Sequence, residues 1–238
     1  MTIDLETHAS DLTQKCKELF GDQTKWVTAA GYQNSMALGI IDSIYSTGSH
    51  YQSVINVIHA YCEYRRAQNE DANHDGPAEL LKTFEELGGS DKWASHMNNR
   101  KPASTSRHAV LKAEVVRQAA ELLQDHKVLS PADLGPWTTL NGPSLLQGAW
   151  KALPSQSSGI TLNYLFILAG YQSIKPDRMI WRFIHEHTSL TEGQITNSQA
   201  VELIKMVAAG YPTEARKLDH VIWRYASGRE FQLPGSDQ

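Results

Sequence analysis

Asp177 is the residue in this sequence best placed to do chemistry. It follows Lys175-Pro176, and Arg178 to His187 continues as an amphipathic helix, so Asp177 stands at that helix's N-terminus. Backbone N–H groups at such a position favour an ionised carboxylate. A carboxylate held this way can oppose positive charge developing on a substrate carbon, and can orient or deprotonate an attacking water. An Asp after Pro is also a common plain helix cap, and the two roles are compatible. Upstream, Leu153-Pro154-Ser155-Gln156-Ser157-Ser158-Gly159-Ile160-Thr161 reads as a small-residue bend between two helices. Gly159 takes positive φ at little cost. Successive N–H groups of Ser158, Gly159 and Ile160 can hold a phosphate oxygen without a side-chain charge, although a simple helix–helix turn fits the same residues.

These residues need a scaffold, and its pattern is helical. Leu12, Cys16, Leu19 and Phe20 recur at helical spacing in an opening helix that ends near Gly21. Further helices are predicted over 34–45, 51–66, 77–87, 91–97, 109–124 and 144–151. After the bend, Thr161 to Ala169 is apolar on most faces, and Gly170 suits its end. Helices over 178–187, 198–209 and 213–225 close the chain. Alternating strand patterns are almost absent, so the fold class expected is all-α. The 238 residues suffice for one two-lobed unit, and 41% apolar with 20% charged residues is a globular composition. No apolar run reaches membrane-spanning length and the first residues do not form a signal peptide, which predicts a cytoplasmic protein without a membrane partner.

Charge and ligand chemistry narrow the choice. The net charge is −4, yet Arg100, Lys101, Arg107, Lys112 and Arg117 face Glu114 alone between residues 98 and 118, a local net charge of +4. Phosphate binding needs such a local face more than a positive total, and a solvated helix face fits it equally. Cys16 and Cys62 are too few for a cysteine-ligated cluster. His185 and His187 lie two apart on a helix and point in different directions, a poor metal pair. The polar loop 68–76 lacks the bidentate glutamate of a calcium loop. No metal and no nucleotide cofactor is expected.

In order and spacing, the chain resembles the helix-hairpin-helix (HhH-GPD) DNA glycosylases, whose signature is a Leu-Pro-Gly-x-Gly hairpin followed by a catalytic aspartate. The residues carrying the resemblance are Leu153, Pro154, Gly159 and Thr161 in the hairpin and Asp177 as the acid. This hairpin differs in having Ser-Gln-Ser-Ser-Gly where the family has two close glycines. Residues 35 to 225 follow the family's order of elements. The resemblance implies a two-lobed fold with a cleft, one lobe spanning 34–165 and the other 1–33 with 166–238. It implies a monomer acting on double-stranded DNA with a flipped modified base, Asp177 facing the extruded nucleotide. It also implies that Thr161 stands where lyase members carry a lysine. The chemistry implied is therefore hydrolysis of the N-glycosidic bond, leaving an abasic site, with no Schiff base.

On that reading the hairpin residues Ser158 to Thr161, with Lys175, Arg100, Lys101, Arg107 and Lys112, contact DNA. Lys175 reads equally well as a solvated side chain. Extruding a base calls for a wedge and a stacking pocket. Tyr45, in the segment corresponding to the family's gap-filling loop, and Tyr164 and Trp181 are the aromatic candidates, although large aromatics usually pack in cores. Asp42 and Ser43 could hydrogen-bond the base. Asp219-His220-Val221-Ile222-Trp223-Arg224 corresponds to the family's closing helix and reads as structural, with Trp223 in the core. The alternatives are a non-catalytic helix-hairpin-helix DNA-binding module, whose binding ignores Asp177, and a helical protein-interaction domain, which binds no DNA at low salt.

Overall fold

The computed structural model describes residues 4–28, 30–137, 145–191 and 193–233. Among them the α-helices are α1 (Leu5–Phe20), α2 (Met36–Tyr45), α3 (Tyr51–Ala67), α4 (Pro77–Leu87), α5 (Ser90–His96), α6 (Lys112–Asp125), α7 (Leu145–Ala152), α8 (Ile160–Leu168), α9 (Arg178–His187), α10 (Asn197–Gly210) and α11 (Ala215–Ala226). The described residues form no β-strand beyond two isolated bridges, so the protein is all-α. Ser144, expected to open α7, lies outside the described residues.

The helices start and stop where local chemistry dictates. Asp4 caps α1 by accepting from Glu6 N at 3.1 Å, and Gly21 at φ 56° ends it. Pro77 opens α4, where Glu79 Oε2 accepts from Gly76 N at 2.9 Å, and Gly88 closes it in the left-handed region. Thr196 and Gln199 cap α10 reciprocally. The exception is α6, expected from residue 109. Residues 110–112 instead run against 101–103, with Ala103 N donating to Val110 O and Lys112 N to Lys101 O, so the helix begins at Lys112. A pairing made by backbone atoms nine residues apart left no mark on the apolar pattern.

The chain divides into two compact units, residues 31–171 and residues 1–30 with 172–238. In the 31–171 unit every residue of α2 is buried, and α3, α4, α6 and α8 pack around it. Ile40, Ile41 and Ile44 are almost wholly excluded from water, each contributing about 1.5–3 kcal/mol. Gly31, at φ 67°, lets the backbone pass close to α8, where Tyr32 N donates to Leu168 O at 2.6 Å. A Cβ at Gly31 would sit 2.4 Å from Leu168 O. In the other unit α1 packs on α10, and α9 and α10 pack on α11. Phe20 gathers Trp26, Phe183, Tyr225 and Phe231 at its centre, with ring separations of 5.4–6.2 Å.

The N-terminal end of α2 is held by a buried ion pair. Asp75 accepts from Arg65 Nε and Nη2 at 2.7 and 3.0 Å and from Tyr61 Oη at 2.7 Å, while its backbone oxygen accepts from Ala37 N. Removing one partner leaves an uncompensated buried charge, which costs about 3–5 kcal/mol. Arg65→Ala is therefore expected to lower unfolding free energy by that amount in urea titrations, against less than about 1 kcal/mol for the exposed Lys82→Ala control.

Candidate functional site

The turn 173–177 and helices α9 and α11 build the site around Asp177. Ile174 is buried in the core, and Lys175 and Asp177 flank Pro176. Asp177 N donates to Lys175 O at 2.6 Å, closing a tight turn that ends where α9 begins. Asp177 is the N-cap of α9: its Oδ1 accepts from Met179 N at 2.8 Å and Ile180 N at 3.4 Å. Its Oδ2 lies 3.9 Å from Lys175 Nζ, and the Asp177 side chain remains 20% exposed. One oxygen therefore caps the helix and the other lies beside an ammonium. From Arg178 onward, a groove of about 720 Å³ runs along α9, lined by Trp181, Arg182, His185 and Asn197 among others. Arg178 is exposed, Trp181 Nε1 donates to Asn197 Oδ1 at 3.1 Å, and Arg182 Nη1 donates to Ala226 O at 2.7 Å.

A second carboxyl lies behind the first. Asp219, 6% exposed on α11, accepts from Lys175 N at 2.8 Å through Oδ1. Burial pushes its carboxyl up to about 8, and the negative charge of Asp177 adds to that. Two carboxyl groups thus meet at one turn, and burial favours the protonated form of Asp219. The sequence pattern marked Asp219 as structural. Its partner is a backbone N–H forty-four residues away in sequence, so spacing carried no signal.

The hairpin between α7 and α8 is tightly bonded. Gln156 N donates to Leu153 O at 3.0 Å and Gly159 N to Gln156 O at 2.9 Å, with Ser155 and Gly159 at positive φ. Ile160 N lies 3.4 Å from Ser158 Oγ. Two of the N–H groups expected to face a phosphate thus have internal acceptors. Thr161 is buried, accepting from Trp150 Nε1 at 2.9 Å and bonded to Gln156 Oε1, so it braces the hairpin from inside.

Several of the residues considered for the base pocket or for DNA contact are buried or half-buried in the 31–171 unit. Tyr45 is 1% exposed with its hydroxyl on Asn99 O at 3.4 Å, and a side chain so enclosed cannot enter a duplex without unpacking. Ser43 is fully buried and donates to Ile40 O. Asp42 is fully buried too and accepts from Tyr32 Oη at 3.1 Å. Tyr164 is half-buried. Lys112 is 3% exposed, its ammonium on the carbonyls of Ile44, Tyr45 and Thr47 at the end of α2. Lys101 Nζ donates to Gly48 O at 2.7 Å.

The local charge of +4 is offset by acids from outside the counted window. Arg100 pairs with Asp91, and Arg117 pairs with Glu121 as well as Glu114. Arg107 is exposed. His185 packs on Trp181 and His187 on Phe183, and no group of three or more His, Cys, Asp or Glu among the described residues is placed to hold a metal ion. Trp223, expected in the core, is half-buried, stacked on His220 with the Arg229 guanidinium 4.6 Å from its ring.

The family model described as a domain of unknown function, DUF8548, matches residues 10–227. The chain belongs to this family. No curated protein and no solved structure matches it. The matched span takes in Asp177, Asp219 and the hairpin.

The buried carboxyl has a consequence for stability. Burial raises folded Asp219 to about 8 against 3.8 for the unfolded chain, so its contribution is full below 3.8 and is lost progressively as pH rises toward 8. His220 works in the opposite sense. Burial lowers it to about 4, so its contribution is lost as pH falls from 6.5 toward 4. Between pH 6.5 and 8 the Asp219 slope outweighs that of His220, whose unfolded form is still half protonated at 6.5, and unfolding free energy is expected to fall by about 1 kcal/mol. Urea titrations at both pH values should show this fall in the wild type and a flattened profile in Asp219→Asn.

Proposed function

We propose that the protein is a DNA glycosylase that hydrolyses the N-glycosidic bond of a damaged, mispaired or otherwise modified base and leaves an abasic site. The observation that carries the reading is the state of Asp177. It is a partly exposed carboxylate at a helix N-terminus, one oxygen capping Met179 N and the other 3.9 Å from Lys175 Nζ. As a base departs, the deoxyribose gains oxocarbenium character, and a fixed negative oxygen at that place stabilises it. The same oxygen can orient or deprotonate the water that attacks. The ordering of α7, a tight hairpin, α8, an acidic turn and α9 supports the same assignment.

In this mechanism α9 positions the acid, and the groove along α9, whose lining begins at Arg178, receives nucleic acid. Arg178, which follows Asp177 in the chain, lines the groove and can meet a phosphate, and Trp181 lines it too. Thr161 provides no amine, so the reaction is hydrolytic and the strand stays intact until alkali cleaves it. Whether the base removed is a lesion of the cell's own DNA or a modification on invading DNA, the chemistry is the same.

The test compares wild type with Asp177→Asn on duplexes carrying assorted modified bases, followed by alkali. Asn still caps a helix, so the variant should fold and bind DNA normally while single-turnover excision falls about 100- to 1000-fold. If wild type binds every duplex and leaves all of them intact, the enzyme reading fails.

Binding itself separates the basic residues. Arg107→Ala is expected to lower the slope of log affinity against log salt by about 1 and leave stability unchanged. Lys112→Ala should act through the fold, exposing the end of α2 and lowering unfolding free energy by about 1–3 kcal/mol. Salt-dependent fluorescence anisotropy and urea titration check the two.

A further inference from the structure

We propose that Asp219 is a positioning residue for Asp177: it clamps the Lys175–Asp177 turn from behind through its oxygen on Lys175 N, and so sets the direction of the second Asp177 oxygen, Oδ2. This role rests on the reading of Asp177 as the group that faces the substrate. A carboxyl is an expensive choice at this place on α11. Its neighbours Leu218, Val221 and Ile222 are fully buried, and an apolar side chain would satisfy the core. What the carboxyl supplies is an acceptor for the Lys175 N–H at 2.8 Å.

That bond governs a very short segment. Pro176 has no N–H and a fixed φ, and Asp177 N is already taken by Lys175 O at 2.6 Å. With Lys175 N tied to α11 and Asp177 Oδ1 tied to α9, the turn is held at both ends. Asp177 Oδ2 then has little freedom, and its place 3.9 Å from Lys175 Nζ follows from the two anchors. Releasing the Lys175 anchor lets the turn pivot on the α9 cap and swings that oxygen. Burial raises Asp219 to about 8, which favours an uncharged clamp.

Two substitutions separate this role from general support of the fold. Asp219→Asn retains a side-chain oxygen for Lys175 N, and Asp219→Leu fills the same apolar surroundings without an acceptor. The readouts are hydrogen exchange of the Lys175 amide, the 13Cγ resonance of Asp177, single-turnover excision and DNA affinity, with the amides of Phe183 and Ile184 as the folding control. In Asp219→Leu, Lys175 exchange is expected to rise about tenfold or more, as loss of one hydrogen bond implies. The Asp177 resonance should move, and excision should fall by a similar factor at unchanged DNA affinity. Asp219→Asn should restore all three.

A Lys175 amide as protected in the Leu variant as in wild type overturns the clamp, as does an Asp177 resonance that stays in place. An equal loss in both variants also overturns it, because it shows that the acceptor oxygen is not what matters. If wild type excises no base, the glycosylase reading falls, and the two NMR readouts decide the clamp by themselves.

Discussion

Helix α2 meets water on none of its faces, and that single constraint organises the 31–171 unit. A helix in solvent can leave its terminal N–H and C=O groups to water, but a buried one needs protein partners for all of them. At the start of α2, Ser35 caps Leu38 N and the Asp75 backbone takes Ala37 N, which is why Asp75 is itself pinned by Arg65 and Tyr61. At the far end Lys112 brings its ammonium to the last carbonyls, the sign that suits a helix C-terminus. Charged residues that look like surface features in the sequence are thus committed to the interior by the needs of one helix.

The unit that carries Asp177 follows a different logic. Its core is a set of aromatic rings around Phe20, and its polar interior is small. Within that setting, a buried carboxyl stands out physically, because it can stay only by keeping its proton or finding donors. Asp219 has Lys175 N as its donor, and burial favours its protonated form. The adjacent Asp177 sits in the opposite environment, partly wet and supplied with backbone donors at a helix start. Two chemically identical side chains thereby meet opposite surroundings at one turn.

Much of the helical framework could be read in the residues themselves, because its signals are local. Asp4, Pro77 and Thr196 each act within one turn of the helix they start, and Gly21 and Gly88 end theirs by conformation. Asp177 belongs to this legible group, since a cap declares itself through the residues that follow. Lys112 and Asp219 do not. Each is defined by backbone atoms far along the chain, which no periodicity encodes. The basic stretch illustrates the same limit in charge, because counting between residues 98 and 118 leaves out Asp91 and Glu121. Tyr45 was misleading for another reason. It stands beside a polar turn in the sequence, yet the buried face of α2 continues through it.

The way the chain is divided bears on how the protein is made. Residues 31–171 are continuous and can collapse while translation is still under way. The other unit is stitched from both ends, since α1 packs on α10, nearly two hundred positions later. Until the ribosome has released that later segment, the apolar face of α1 with Leu12, Cys16 and Phe20 has no native partner. The turn that carries Asp177 is therefore among the last parts of the molecule to acquire its shape, and a nascent or clipped chain would hold a folded 31–171 unit without it.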